Sequence, residues 1–60
     1  MKFKDIEKLI LNDGWYIVSK KGSHNHYKHP NKSGKVTIPN HGGKDIHPDT
    51  VQSIKKQAGI

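Results

Sequence analysis

Apolar residues recur along the first dozen positions at Phe3, Ile6, Leu9, Ile10 and Leu11. The spacing 3, 6, 10, with 9 beside it, is that of one helical face and predicts a helix over Phe3–Asn12. Asp5 and Glu7 stand near its start, where the helix dipole favours negative charge. Gly14 is placed to take the left-handed conformation just past the end, letting Trp15 fold back onto Ile10. From Trp15 the pattern changes. Residues 15–19 are rich in aromatic and β-branched side chains, Lys20-Lys21-Gly22 interrupts them, and residues 23–28 follow. This predicts a hairpin whose three-residue loop ends in glycine. Residues 29–34 read as a looser turn, residues 35–39 alternate polar and apolar as a third strand should, and residues 40–43 read as a loop. A second helix begins near Pro48, a residue suited to the first helical position. It sets Val51, Ile54 and Ala58 on one stripe, carries Lys55 and Lys56 in its last turns and stops at Gly59.

The order is α-β-β-β-α, an α+β fold in a single domain over residues 1–60. A three-stranded antiparallel sheet buries one face, two amphipathic helices cover it, and the other face stays wet. Pairing Ser19 with Ser23 across the loop sets Val18 opposite His24, Ile17 opposite Asn25, Tyr16 opposite His26 and Trp15 opposite Tyr27. Trp15, Ile17 and Tyr27 then share the core face with Val36 and Ile38. Tyr16, Val18, His24, His26, Lys28, Lys35 and Thr37 share the open one. A one-residue slip in register reverses the assignment.

Composition narrows the possible partners. Eleven lysines and no arginine stand against five acidic residues, a formal charge of +6. Lysine is a point charge suited to phosphate, whereas bidentate reading of guanine favours arginine. A nucleic-acid backbone is therefore the favoured partner. The chain has no cysteine, which removes disulfides and thiolate zinc sites together and accords with a reducing compartment. Acidic residues interrupt the apolar positions of the opening segment, so it does not read as a signal peptide. No apolar run approaches the ~20 residues of a membrane span, so the expectation is a cytoplasmic protein with no membrane partner.

Candidate chemistry is concentrated in Gly22-Ser23-His24-Asn25-His26-Tyr27-Lys28-His29-Pro30. His24 and His26 lie two apart on a strand, a spacing that can chelate a metal with His29, His41 or His47 as third ligand. The hairpin, however, holds no acidic residue to orient a ligand, and its lysines repel cations. A second reading is acid–base catalysis on RNA. An imidazole ordinarily exchanges its proton near neutrality, and RNA carries its own nucleophile in the 2′-hydroxyl. Such an enzyme needs a base, an acid and cations for the phosphate. In the third reading the histidines are merely polar residues on a wet face.

The same run, followed by Val36-Thr37-Ile38-Pro39-Asn40-His41, Thr50-Val51-Gln52-Ser53-Ile54 and Gln57-Ala58-Gly59-Ile60, resembles the HicA toxins, as do the opening helix and Gly14-Trp15. The resemblance spans nearly the whole chain. It implies a fold similar to double-stranded RNA-binding domains and cleavage of messenger RNA without a metal or other cofactor, blocking translation. It also implies neutralisation by a HicB antitoxin, with DNA bound only indirectly through the antitoxin complex. The histidine of the family's glycine-serine-histidine motif, Gly22-Ser23-His24 here, is needed for toxicity and maps onto His24, the expected catalytic residue. His26 lies outside that motif and reads as a tolerated polar residue in preference to an auxiliary acid.

Adjacent strand residues point to opposite faces, so Ser23 cannot pair with His24 as nucleophile and base; it reads as a turn residue. Lys20 and Lys21 on the loop tip, with Lys28 and Lys35 on the open face, are the candidates for phosphate contact. Tyr16 is placed to stack on a base. His29 and His41 read as turn-forming. The rival to a ribonuclease is a non-catalytic RNA-binding module of the same fold.

Overall fold

In the computed structural model, which describes residues 1–60, the first helix α1 spans Phe3–Asn12, as the apolar spacing predicts. Its buried stripe is Phe3, Ile6 and Ile10, while Leu9 and Leu11 remain exposed. The Gly14 amide donates to the Leu11 carbonyl at 3.0 Å and the Trp15 amide to Ile10 at 3.1 Å. Gly14 has φ 106°. This closure satisfies carbonyls that would otherwise lack partners, and it turns Trp15 into the core.

The sheet has three strands in the order β1-β2-β3, antiparallel throughout: β1 is Tyr16–Lys21, β2 His24–Lys28 and β3 Val36–Pro39. The expected α+β order α-β-β-β-α is found. The hairpin differs from the sequence expectation in three ways. Its turn is the pair Gly22-Ser23, and Lys20 and Lys21 are the last residues of β1, not a loop tip. Gly22 has φ 60° and Ser23 a negative φ, the signature of a turn whose twist matches its strands. The ladder runs Tyr16↔Lys28 and Ile17↔Tyr27, then Ser19↔His26, Lys20↔Asn25 and Lys21↔His24. Val18 is the extra residue of a bulge, so it faces no partner. Trp15 is buried but precedes the sheet. Ile17 is the third difference. It sits opposite Tyr27, on the helix-covered side, yet is 42% exposed. Both helices lie over the β2–β3 half, which leaves every residue of β1 exposed.

The second helix, α2, covers Pro48–Ala58. His47 caps it by accepting the Asp49 amide on Nδ1 at 3.1 Å. Gly59 ends it in the left-handed region at φ 71°. The segment before it is held by a bridge between Lys2 and Asp45 and by the Ile46 amide donating to Met1 at 2.8 Å. Those contacts bury Ile46, which no periodicity in the sequence picks out. The core thus joins Phe3, Ile6 and Ile10 of α1 with Trp15, Tyr27, Val36, Ile38, Ile46 and the α2 stripe Val51, Ile54 and Ala58.

A polar clamp closes one end of this core. The Lys32 ammonium donates to Asp13 Oδ2 at 2.5 Å and to the Ala58 carbonyl at 2.9 Å. The Trp15 indole N–H is shared between the same two acceptors, at 3.2 and 3.3 Å. The hydrogen bond from Lys32 holds the Asp13 carboxyl below its ordinary range. The β2–β3 connection and the C-terminal ends of both helices are therefore tied at one point. Lys32 is committed to the fold, which separates it from the free lysines of the sheet.

Candidate active site

The residues of β2 divide cleanly. Asn25 and Tyr27 are buried beneath the helices, whereas His24 and Lys28 are exposed and His26 half-buried on the other face. Tyr27 fixes this division. Its ring is wholly buried, its hydroxyl donates to Glu7 of α1, and it accepts from Asn25 Nδ2 at 3.4 Å. Burial first, then the bond to Glu7, pushes the phenol far above its ordinary value of 10.0. With Tyr27 pointing in, strand alternation turns His24, His26 and Lys28 out.

The register completes the open face. Lys21 stands opposite His24 on one side and Pro39 on the other. Ser19 and Thr37 flank His26, and Tyr16 stands opposite Lys28. The Asn40 amide, just past the end of β3, donates to the Ser23 carbonyl at 2.6 Å and so braces the Gly22-Ser23 turn that presents His24. Of the lysines expected at phosphate, Lys21 and Lys28 lie on the His24 face. Lys35 is exposed one residue before β3. Lys20 pairs with Asn25 and so belongs to the opposite side.

The field over this face has one sign. All five acidic residues lie on α1, at its cap, beside Lys2, or on α2, and none is in a strand. An open face that carries lysines, no carboxylate and an imidazole at one end is suited to an extended anionic chain. A depression of about 600 Å³ lies elsewhere, lined by Lys2, Phe3, Lys4, Asp5, Asn40, Gly42 and Gly43.

Hydrogen bonds separate the histidines by task. His29 Nδ1 accepts the backbone amides of Asn31 and Lys32 at 3.0 and 3.1 Å, which leaves its proton on Nε2, donated to the Asp13 carbonyl at 2.7 Å. Both ring nitrogens are thus used in holding the turn, as the sequence suggested for His29. The ring also packs edge-on against Trp15, centroids 5.3 Å apart. His47 is the cap of α2. His26 Nδ1 lies 3.0 Å from the Thr37 hydroxyl. The sequence pattern places His26 and Thr37 on one face but does not by itself pair them; the β2–β3 register does. No three histidine or carboxylate side chains come close enough together to hold a metal ion, and no helix is long and apolar enough to cross a membrane.

A search of curated proteins finds no match. A family model described as the HicA toxin of bacterial toxin-antitoxin matches residues 3–60. That span takes in both helices, all three strands and the whole open face, and the chain belongs to the HicA toxin family.

Proposed function

We propose that this toxin is an endoribonuclease that cuts messenger RNA without a metal and so blocks translation. His24 takes part in proton transfer. Lys21, Lys28 and Lys35 hold phosphates, with Lys20 assisting from the sheet edge, and the Gly22-Ser23 turn presents His24. The observation that carries this reading is the placement of His24 on an open sheet face with lysines and no carboxylate.

The chemistry needs little from the protein. A neutral imidazole accepts the 2′-hydroxyl proton as that oxygen attacks the adjacent phosphorus. Ammonium groups stabilise the charge that develops on the phosphoryl oxygens. The bond to the 5′-oxygen breaks, leaving a 2′,3′-cyclic phosphate and a 5′-hydroxyl. A HicB antitoxin restrains the toxin most simply by covering the His24 face, and the setting is cytoplasmic.

The test is to incubate purified protein with a long single-stranded RNA in EDTA and to identify the new ends. Cyclic phosphate and 5′-hydroxyl ends are expected. Intact RNA, or cutting that EDTA abolishes and zinc restores, contradicts the reading.

A further inference from the structure

The cleavage just described needs a second proton. The 5′-oxygen leaves as an alkoxide unless an acid protonates it, and His24 as base cannot supply that proton in the same step. Resting on that reading of the site, we infer that His26 is the general acid that protonates the leaving 5′-oxygen, with Thr37 orienting its ring.

Three observations carry the assignment. First, His24 and His26 are same-face neighbours on β2, which sets their backbones about 6.6 Å apart. A phosphate lying between them reaches a ring on either side through hydrogen bonds of roughly 3 Å each. In-line displacement requires that arrangement, with base and acid on opposite sides of phosphorus. Second, among the side-chain types on this face only imidazole ordinarily exchanges its proton near neutrality, and the other occupants are lysine, serine, threonine, tyrosine and proline. Third, the partner of His26 tolerates both of its charge states. The Thr37 hydroxyl accepts from Nδ1–H of the imidazolium, and Nδ1 keeps that proton when Nε2 gives its own up, so the ring stays oriented through the step. His29 is the contrast. Two backbone amides point at its Nδ1, and protonating that atom would break both bonds.

The step balances without another reagent. His24 gains the 2′-hydroxyl proton, phosphorus gains the 2′-oxygen and loses the 5′-oxygen, and His26 Nε2 delivers its proton to that oxygen. Water exchange then returns both rings to their starting states.

The test compares ordinary RNA with RNA carrying sulfur in place of the bridging 5′-oxygen at a mapped cleavage position. A thiolate leaves without being protonated, so the need for an acid disappears. His26→Gln should cut ordinary RNA at least ~10²-fold more slowly while still binding it, and should approach the wild-type rate on the sulfur substrate. His24→Ala should stay slow on both. In the wild-type protein the alkaline limb of the pH–rate profile should vanish on the sulfur substrate, a result that requires no variant to fold. His26→Gln cutting ordinary RNA at the wild-type rate overturns the assignment but leaves the ribonuclease reading intact. So does an alkaline limb that persists in the wild type on sulfur RNA, or a folded His26→Gln equally slow on both substrates. Wild-type protein that cuts neither substrate overturns both.

Discussion

Lys21 stands directly opposite His24 at the last rung of the β1–β2 ladder, so an ammonium and an imidazole share one end of the open face. Opposed strand residues have Cβ atoms about 5 Å apart, close enough for both side chains to reach a single phosphate. Lys20, one residue earlier, faces Asn25 on the other side.

On the proposed reading, this relationship predicts different effects for two adjacent lysines. Lys21→Ala should weaken RNA binding and flatten its salt dependence by about 0.7 in the log–log slope, the loss of one phosphate contact on single-stranded RNA. Lys20→Ala should change both less. Titrations at several salt concentrations check this, and equal effects from the two variants would place the RNA elsewhere than on the His24 face.

The Tyr27 phenol makes stability depend on pH at the alkaline end. Its titration lies well above 10.0 in the folded chain because of burial and the bond to Glu7. The unfolded chain releases this proton near pH 10 and the folded chain keeps it. The contribution is whole below pH 10 and declines as pH rises beyond it. Tyr27→Phe should cost about 1 kcal/mol at neutral pH through the lost hydrogen bonds. It should also decline less than the wild type between pH 9 and about 11. Urea midpoints across that range decide the matter, and parallel declines in the two proteins would refute the assignment.

Gly14 is constrained twice over. Its φ of 106° disfavours any side chain, and a Cβ there would lie 2.7 Å from His29 Nε2. The ring cannot retreat without losing its bond to Asp13 or its hold on the Asn31–Lys32 turn. Gly14→Ala should therefore cost more than the roughly 1–2 kcal/mol of left-handed strain alone. In a chain of this size that lowers Tm by at least ~5 °C. A Tm within a degree of wild type would mean the His29 clamp is not formed in solution.

Much of this was legible because it rests on local rules. The apolar stripe of α1, the Gly14 and Gly59 closures and the inward Tyr27 each follow from one or two residues and a short period. The hairpin register did not, because a bulge at Val18 costs little and leaves no mark in composition. Its effect on the site was small for a definite reason. The faces of β2 are set by Tyr27 against α1 and by pairing with β3, so His24 and His26 point outward whichever way β1 slides. What the slip did change was β1 itself, where Lys20 and Lys21 left the loop and took opposite faces. The Asp13–Lys32–Ala58 clamp joins residues distant in sequence and had no pattern to announce it.

The most direct test of the central claim sets the wild type beside His24→Ala on one single-stranded RNA in EDTA, reading cleavage and binding from the same samples. The structure's placement of His24, exposed and outside the core, predicts that the variant folds and binds RNA normally. Its cleavage should fall by ~10²-fold or more. Cutting by the variant at the wild-type rate would contradict the account, and binding by both proteins with cutting by neither would make the chain an RNA-binding module.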